Sequence, residues 1–541
     1  MVKKAQKFYC LKRLLSCSSI FLFLNSVDAF AGNPENKSTE IEKPEKLFSS
    51  ALKTSSNGKL EILRAPDDLY LPKQKSEITI KEVKIIDLSD IEILLKNNSP
   101  ELRSSRFKIN QDKALLVEKL STWYPSLSLS GNGLPQYLQS EQWNSNATDT
   151  SSKQWKSTLT LQLKWDLINP SRIPEIESAK ELFEKSKYNY IIHLNNLILE
   201  AKKRYFLLQK AIEEVNIGKT SVIASKKSLK DSKSRFDAGI GTKFEILEAE
   251  TQLSRDNQML NIKIRDRNIQ RRSLSEILNL PEGILANPRN SPKIIGLWNN
   301  SLEGSLINAY NLREELINAK LDISVNNNKA NSALAMSQPT FSLFNNLSTT
   351  TARGELLAKS PDLDNSISSL SNTIGLNATW KIFDGGSAKA LYNYNKEKSK
   401  ESESEFARKR LSIKQEVIKS FYNLNTSSSN ILNSISEVNT SKESLRLARL
   451  RFNAGLTTQR EVINNQRDLT QAEVNYANAI TEYNISLNEL QRHTRSNDIK
   501  PCFDKEQSQH EVYNEEAYFL LDNLQQDISR ICKASQSTTF K

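Results

Sequence analysis

The phrase "RFDAGIGTKFEI", beginning at Arg235, returns as "RFNAGLTTQREV" at Arg451, 216 positions later. Stepping back by sevens from Phe236 meets Leu229, Val222, Val215, Leu208, Ala201 and Leu194; from Phe452 it meets Leu445, Val438, Ile431, Leu424 and Val417. An apolar residue every seven positions keeps one seam of a helix on its neighbour, because ~3.5 residues per turn divides evenly into the repeat. Two such stripes at one offset restrict the chain to long, packed helices and to an internal duplication. These residues are scaffold; the length of the scaffold is the information they carry.

Beyond each phrase the stripe resumes, as Ile246, Leu253 and Leu260 in the first copy and as Val462, Leu469, Tyr476, Tyr483 and Leu490 in the second. Each phrase therefore marks a bend between two helices. Gly239 and Gly455 can take the positive φ that closes a helix. Thr242 and Thr458 can cap the next one, with Glu245 and Glu461 three residues on at capping-box spacing. The phrase reads as the tip of a helical hairpin.

Earlier in each half the period changes from seven to two. In "STLTLQLKWDLI" (157–168), Leu159, Leu161, Leu163, Trp165 and Leu167 alternate with polar residues, and in "NTIGLNATWKIF" (372–383) Ile374, Leu376, Ala378, Trp380 and Ile382 do the same. "YPSLSLSGNG" (124–133) and "QPTFSLFNNL" (338–347) form a second aligned pair. Each half thus predicts two strands with one apolar face, the pattern of a transmembrane β-barrel with ~10-residue segments. A helix over about 171–237 would be ~100 Å long at ~1.5 Å per residue. First helices are expected at 87–120 and 301–334, so each half runs helix, strand, strand, helix, tip, helix.

The N-terminus sets the compartment. Lys3, Lys4, Lys7, Lys12 and Arg13 precede an apolar run from Leu14 to Leu24, and Ala29-Phe30-Ala31 is a cleavage site, so residues 1–31 read as a secretory signal. Leu14-Leu15-Ser16-Cys17 also resembles a lipidation box, although the apolar run lies mostly after Cys17. No later segment approaches the length of a spanning helix, so a membrane crossing must use strands. Residues 32–81, with Pro34, Pro44, Pro66 and Pro72 among many charges, read as a flexible linker closing on a short strand. Residues 82–290 and 291–495 form the two repeats, and 496–541 a tail with a helix expected over 511–532. Cys502 and Cys532 in that tail could pair in an exported protein. The net charge of +12 comes from Lys and Arg interspersed with acids, not from a basic block with aromatics, which argues against nucleic acid as a partner. The sequence has no Walker loop, no H-E-x-x-H and no G-x-S-x-G, and His193, His493 and His510 lie far apart, so neither an enzyme nor a cofactor is indicated.

The duplicated plan, "WKIFDGGSAKA" (380–390) and the two R-F-x-A-G tips resemble the TolC family of outer-membrane efflux proteins over about residues 87–495. The resemblance implies an α+β membrane protein, in which a long coiled-coil α-helical barrel joins a transmembrane β-barrel shared by a homotrimer, with two internal repeats per chain. It implies an outer-membrane exit duct of a tripartite efflux or type I secretion system, with a periplasmic adaptor, an inner-membrane pump and outer-membrane lipid as partners. Adaptor docking would fall on Arg235, Phe236, Gly239, Thr242, Arg451, Phe452, Gly455 and Thr458. Members narrow the tunnel with acids after the second tip, and the matching periplasmic gate positions are Glu461 and Asn464, with Glu245 and Glu248 in the first copy. Asn464 departs from the usual acid, which weakens the ring or shifts it to the first copy. Two other readings stay open on the residues alone: a secreted coiled-coil structural protein without a pore, and a periplasmic adaptor, which would bring a lipoyl-like domain rich in Gly and Val.

Overall fold

A computed structural model describes residues 69–143, 150–355 and 366–500. The chain divides into two units, Met1–Glu61 and Ile62–Lys541, and all described residues belong to the second. The signal, residues 32–68 of the linker, the expected tail helix, and Cys502 and Cys532 lie outside the described residues.

The unit opens with a short helix, α1 (Lys75–Ile78), and a strand, β1 (Glu82–Ile86). The first helix of each repeat, expected to be continuous, is broken in both copies. In the first copy α2 (Asp90–Asn98) gives way to α3 (Pro100–Leu120) at Ser99, which is extended (φ −66°, ψ 121°). Pro100 disfavours helical backbone at the residue before it, and the Ser99 hydroxyl accepts the Leu102 N–H at 3.4 Å to start α3. In the second copy α6 (Leu302–Leu312) and α7 (Glu314–Ala335) part at Arg313, with nearly the same backbone (φ −71°, ψ 119°) but no proline.

Each repeat then sends out two strands: β2 (Ser126–Gln142) and β3 (Thr150–Ile168), then β6 (Thr340–Glu355) and β7 (Ser366–Thr379). They form one antiparallel sheet in the order β2-β3-β6-β7, so the duplicated hairpins join edge to edge through β3 and β6. The strands hold 17, 19, 16 and 14 residues, well beyond the apolar stretches, because pairing continues through Ser, Thr and Gln. Register places Leu127 against Leu163, Leu129 against Leu161, Trp165 against Leu343 and Leu343 against Leu376, which collects the apolar residues on one face. That face is bare in the single chain: Leu129 is 71% and Leu376 74% exposed. β2 and β7 each keep one unpaired edge among the described residues.

At the sheet's helical end the indole N–H of Trp165 donates to the Trp123 carbonyl at 2.9 Å, and that of Trp380 to the Ser337 carbonyl at 3.0 Å, the same anchor in both repeats. Trp380 and Ile382 lie beyond the end of β7, not within a strand as expected. The chain turns there at Gly385 (φ 70°) and Gly386 (φ 87°), conformations that favour glycine. The Asp384 carboxylate accepts the Ala388 and Gly386 N–H groups at 2.8 Å, which starts the next helix and lowers that carboxyl's pKa.

The four long helices are α4 (Arg172–Asp237, 66 residues), α5 (Lys243–Ile277), α8 (Ser387–Asn453, 67 residues) and α9 (Gln459–Thr494). At ~1.5 Å per residue α4 and α8 each span about 100 Å. α4 packs on α5 and α8 on α9; α7 lies against both α4 and α8, and α9 also touches α4. The seven-residue stripes form the seams: Ala201, Leu208, Val215 and Val222 are buried in the first, and Val417, Leu424, Ile431, Val438 and Leu445 in the second. Two small pairings were not foreseen. β1 runs parallel to β4 (Ile284–Pro288), and β5 (Leu297–Trp298) pairs antiparallel with β8 (Ile499–Lys500). No helix among the described residues is long and apolar enough to cross a membrane.

The paired hairpin tips as candidate functional site

Both tips are built by the same backbone turn. In the first, the Gly239 N–H donates to the Phe236 carbonyl at 2.9 Å and the Ile240 N–H to the Arg235 carbonyl at 3.0 Å; in the second, Gly455 donates to Phe452 at 2.9 Å and Leu456 to Arg451 at 2.8 Å. Gly239 (φ 75°) and Gly455 (φ 76°) supply the left-handed residue such an ending requires.

The caps that follow differ. Thr242 Oγ1 accepts the Glu245 N–H at 3.3 Å, as expected, but the Thr458 side chain makes no cap. Glu461 is engaged elsewhere: its carboxylate receives the Thr457 hydroxyl and, at 3.0 Å, the Arg451 guanidinium. Thr242→Ala should therefore destabilise the protein by ~1 kcal/mol, the worth of an N-cap, and Thr458→Ala by far less. Denaturation midpoints of the two variants would check this, and equal losses would contradict it.

The tips also meet each other. The Arg235 guanidinium lies 4.6 Å from the Phe452 ring centroid, so a cation covers an aromatic face. Phe452 is 6% exposed beneath it, while its counterpart Phe236 is 43% exposed. Arg460 reaches Glu248 through Nη2 at 2.7 Å and Nε at 2.8 Å, and lies 5.6 Å from Phe244. The Gln459 amide donates to the Ser228 hydroxyl. Of the expected site residues, the structure thus brings Arg235 onto Phe452 across the two tips and joins Arg451 to Glu461 within the second, while Glu248 pairs with Arg460, which was not among them, and Asn464 is exposed. One Oε of Glu245 is buried without a hydrogen-bond partner.

Arg460 was missed by sequence reasoning. Its signal was a departure from the repeat, since position 460 matches Phe244, and position 464, its partner's counterpart, is Asn where the first copy has Glu248. The Arg460–Glu248 bridge can form only in the sense second repeat to first. With Arg460 63% and Glu248 19% exposed, an ion pair of this kind contributes at most about 1 kcal/mol.

The profile of the outer membrane efflux protein family matches residues 93–280 and 307–494, once in each repeat. The chain belongs to the outer membrane efflux protein family. Among solved structures, this efflux protein is similar to the outer-membrane channel OprN (17% identity, TM-score 0.64, covering 82% of this chain and 98% of that one). It is also similar to the outer membrane protein VceC of Vibrio cholerae (14% identity, TM-score 0.63, covering 75% and 95%). A third similar structure is the CmeC outer membrane channel of Campylobacter jejuni (17% identity, TM-score 0.61, covering 80% and 94%). No curated protein matches by sequence. The efflux protein is an outer-membrane channel with two internal repeats, and its long helices extend from the sheet into the periplasm. That assignment sets aside the pore-less structural protein and the periplasmic adaptor.

Proposed function

We propose that three copies of the chain join their sheets into one twelve-stranded barrel, continued through the periplasm by a tunnel of helices, and that this assembly is the exit duct of a tripartite efflux or type I secretion system. The observation that carries the reading is the sheet of four strands with an apolar outer face and, among the described residues, two open edges. Lipid tolerates no unpaired edge, and four strands are too few to close alone. The signal over 1–31 directs export, and the repeats at 82–290 and 291–495 supply matching halves of strand and tunnel.

The tips are where a periplasmic adaptor fed by an inner-membrane pump docks, through Arg235, Phe236, Gly239 and Thr242 and through Arg451, Phe452, Gly455 and Thr458. Glu245, Glu248, Glu461 and Asn464 border the periplasmic gate. The Arg460–Glu248 bridge holds the two hairpins of a chain together, and its modest energy lets a docked partner part them. Cross-linking of the detergent-extracted protein is expected to yield trimers as the largest species. A ladder ending at monomer or dimer would sink this reading.

A further inference from the structure

The charge of the pore wall can be read from the register of the sheet, given the conduit proposed above. With Leu127, Leu129, Leu159, Leu161, Leu163, Trp165, Leu343 and Leu376 on the lipid face, the residues that alternate with them line the lumen. That wall is almost wholly neutral. Thr158 and Thr350 share a hydrogen bond at 3.2 Å, as do Ser348 and Ser371 at 2.7 Å, and Ser, Thr, Asn and Gln fill most remaining positions. Among the described residues, the charged ones on this face are Lys156, Lys164 and Asp166.

Lys164 and Asp166 are 3.3 Å apart near the helical end and largely cancel. Lys156 stands eight residues further along β3, roughly 26 Å at ~3.3 Å per residue, set between Gln136 and Ala352. Among the described residues of this face, each chain thus adds one unbalanced positive charge toward the outer mouth, repeated around the barrel. Three of the four gate positions at the tips add no uncompensated acid: Glu248 is paired with Arg460, Glu461 with Arg451, and position 464 is Asn. Only Glu245 is left of the four gate positions as an acid without an arginine partner among the contacts above.

We propose that this barrel favours anionic cargo and disfavours cationic cargo, with Lys156 as the discriminating residue. A ring of like charges sets ion preference in a pore by concentrating counter-ions at its own level. Screening over ~8 Å at physiological salt makes the bias modest in a wide barrel and larger in dilute salt.

The test is the reversal potential of the full-length trimer in a planar bilayer under a potassium chloride gradient at low ionic strength. The wild type should pass chloride over potassium by about threefold, as expected of a weakly screened charged ring. Lys156→Gln should abolish the preference and Lys156→Glu should reverse it, each at wild-type trimer levels by gel mobility. A cation-preferring wild type, or a preference indifferent to both substitutions, would overturn the assignment. The charge-neutral pair Arg460→Gln with Glu248→Gln removes one bridge between the tips without altering net charge and is measured alongside. Silence from both it and the wild type would defeat the conduit reading itself, and this inference with it.

Discussion

Glu315→Ala is expected to lower stability by about 3–5 kcal/mol, the cost of leaving buried partners of an ion pair uncompensated. Glu315 Oε1 accepts from Arg313 Nη2 at 2.8 Å and from Arg492 Nη2 at 2.6 Å, and Oε2 accepts from Arg313 Nε at 2.9 Å. Both arginines are nearly inaccessible, with side chains 5% and 6% exposed. Arg313 also reaches Glu416 on α8 at 2.6 Å, and Arg492 reaches Asn196 on α4 at 2.9 Å. One carboxylate therefore ties the break between α6 and α7 to three long helices, which supplies the reason for that break: extended backbone at Arg313 turns the guanidinium inward.

Burial alone would raise the pKa of Glu315, but the hydrogen bonds and charge of Arg313, with the charge of Arg492, bring it down to about 2. A depressed carboxyl pKa contributes stability above its unfolded value of ~4.3, and that contribution disappears as pH falls toward the folded value. Denaturant midpoints should thus show the full difference between wild type and Glu315→Ala at neutral pH, hold it to about pH 4, and converge toward about pH 2. Equal midpoints at pH 7, or convergence already at pH 6, would show that the arginines are satisfied without Glu315.

Charge reversal of Arg235 and Arg451 together, by Arg235→Glu and Arg451→Glu, should reduce export to background while leaving trimers in the outer membrane. Opposed charges at a docking rim cost recognition several kcal/mol, and each ~1.4 kcal/mol is tenfold in affinity. The arginines are not idle before a partner arrives. Arg235 covers Phe452 and Arg451 holds Glu461, so reversal also exposes an aromatic ring and sets two acids face to face. Arg235→Gln with Arg451→Gln separates these effects, since it removes charge without creating repulsion. Paired assays of trimer mobility and toxin resistance decide the matter: normal export at equal trimer levels would clear both residues of a docking role, and loss of the trimer itself would make them structural.

The long helices, the tips and the duplicated strands were legible because each rests on a period that one residue's environment imposes on the next. The boundaries of the strands were less so: hydrogen bonding carries β2 and β3 through polar residues that show no alternation of hydrophobicity. The pairing of β1 with β4 and of β5 with β8 leaves almost no sequence signature, being short and fixed by what lies around it. The knot around Glu315 was invisible for another reason. Arg313, Glu315, Glu416 and Arg492 each read as an ordinary solvated helix residue, and only packing of distant segments removes Arg313, Glu315 and Arg492 from water and brings Glu416 to them. At the tips, residue types and turn geometry were readable, but the bond between Arg460 and Glu248 lies where the two copies differ, at positions matched by Phe244 and Asn464.

The stacking of Arg235 on Phe452 has a direction, from first repeat to second. In the trimer proposed above, where neighbouring repeats would always meet in the same sense, the corresponding contact from Arg451 to the exposed Phe236 would fall between one chain and the next. Each copy then offers a covered ring inside and an uncovered ring outside, like a link with one end closed. Head-to-tail contacts of this sort grow until geometry returns the last partner to the first. The duplication of one short phrase is then a rule for closing a ring, written once in each chain and completed only when the uncovered end is used up.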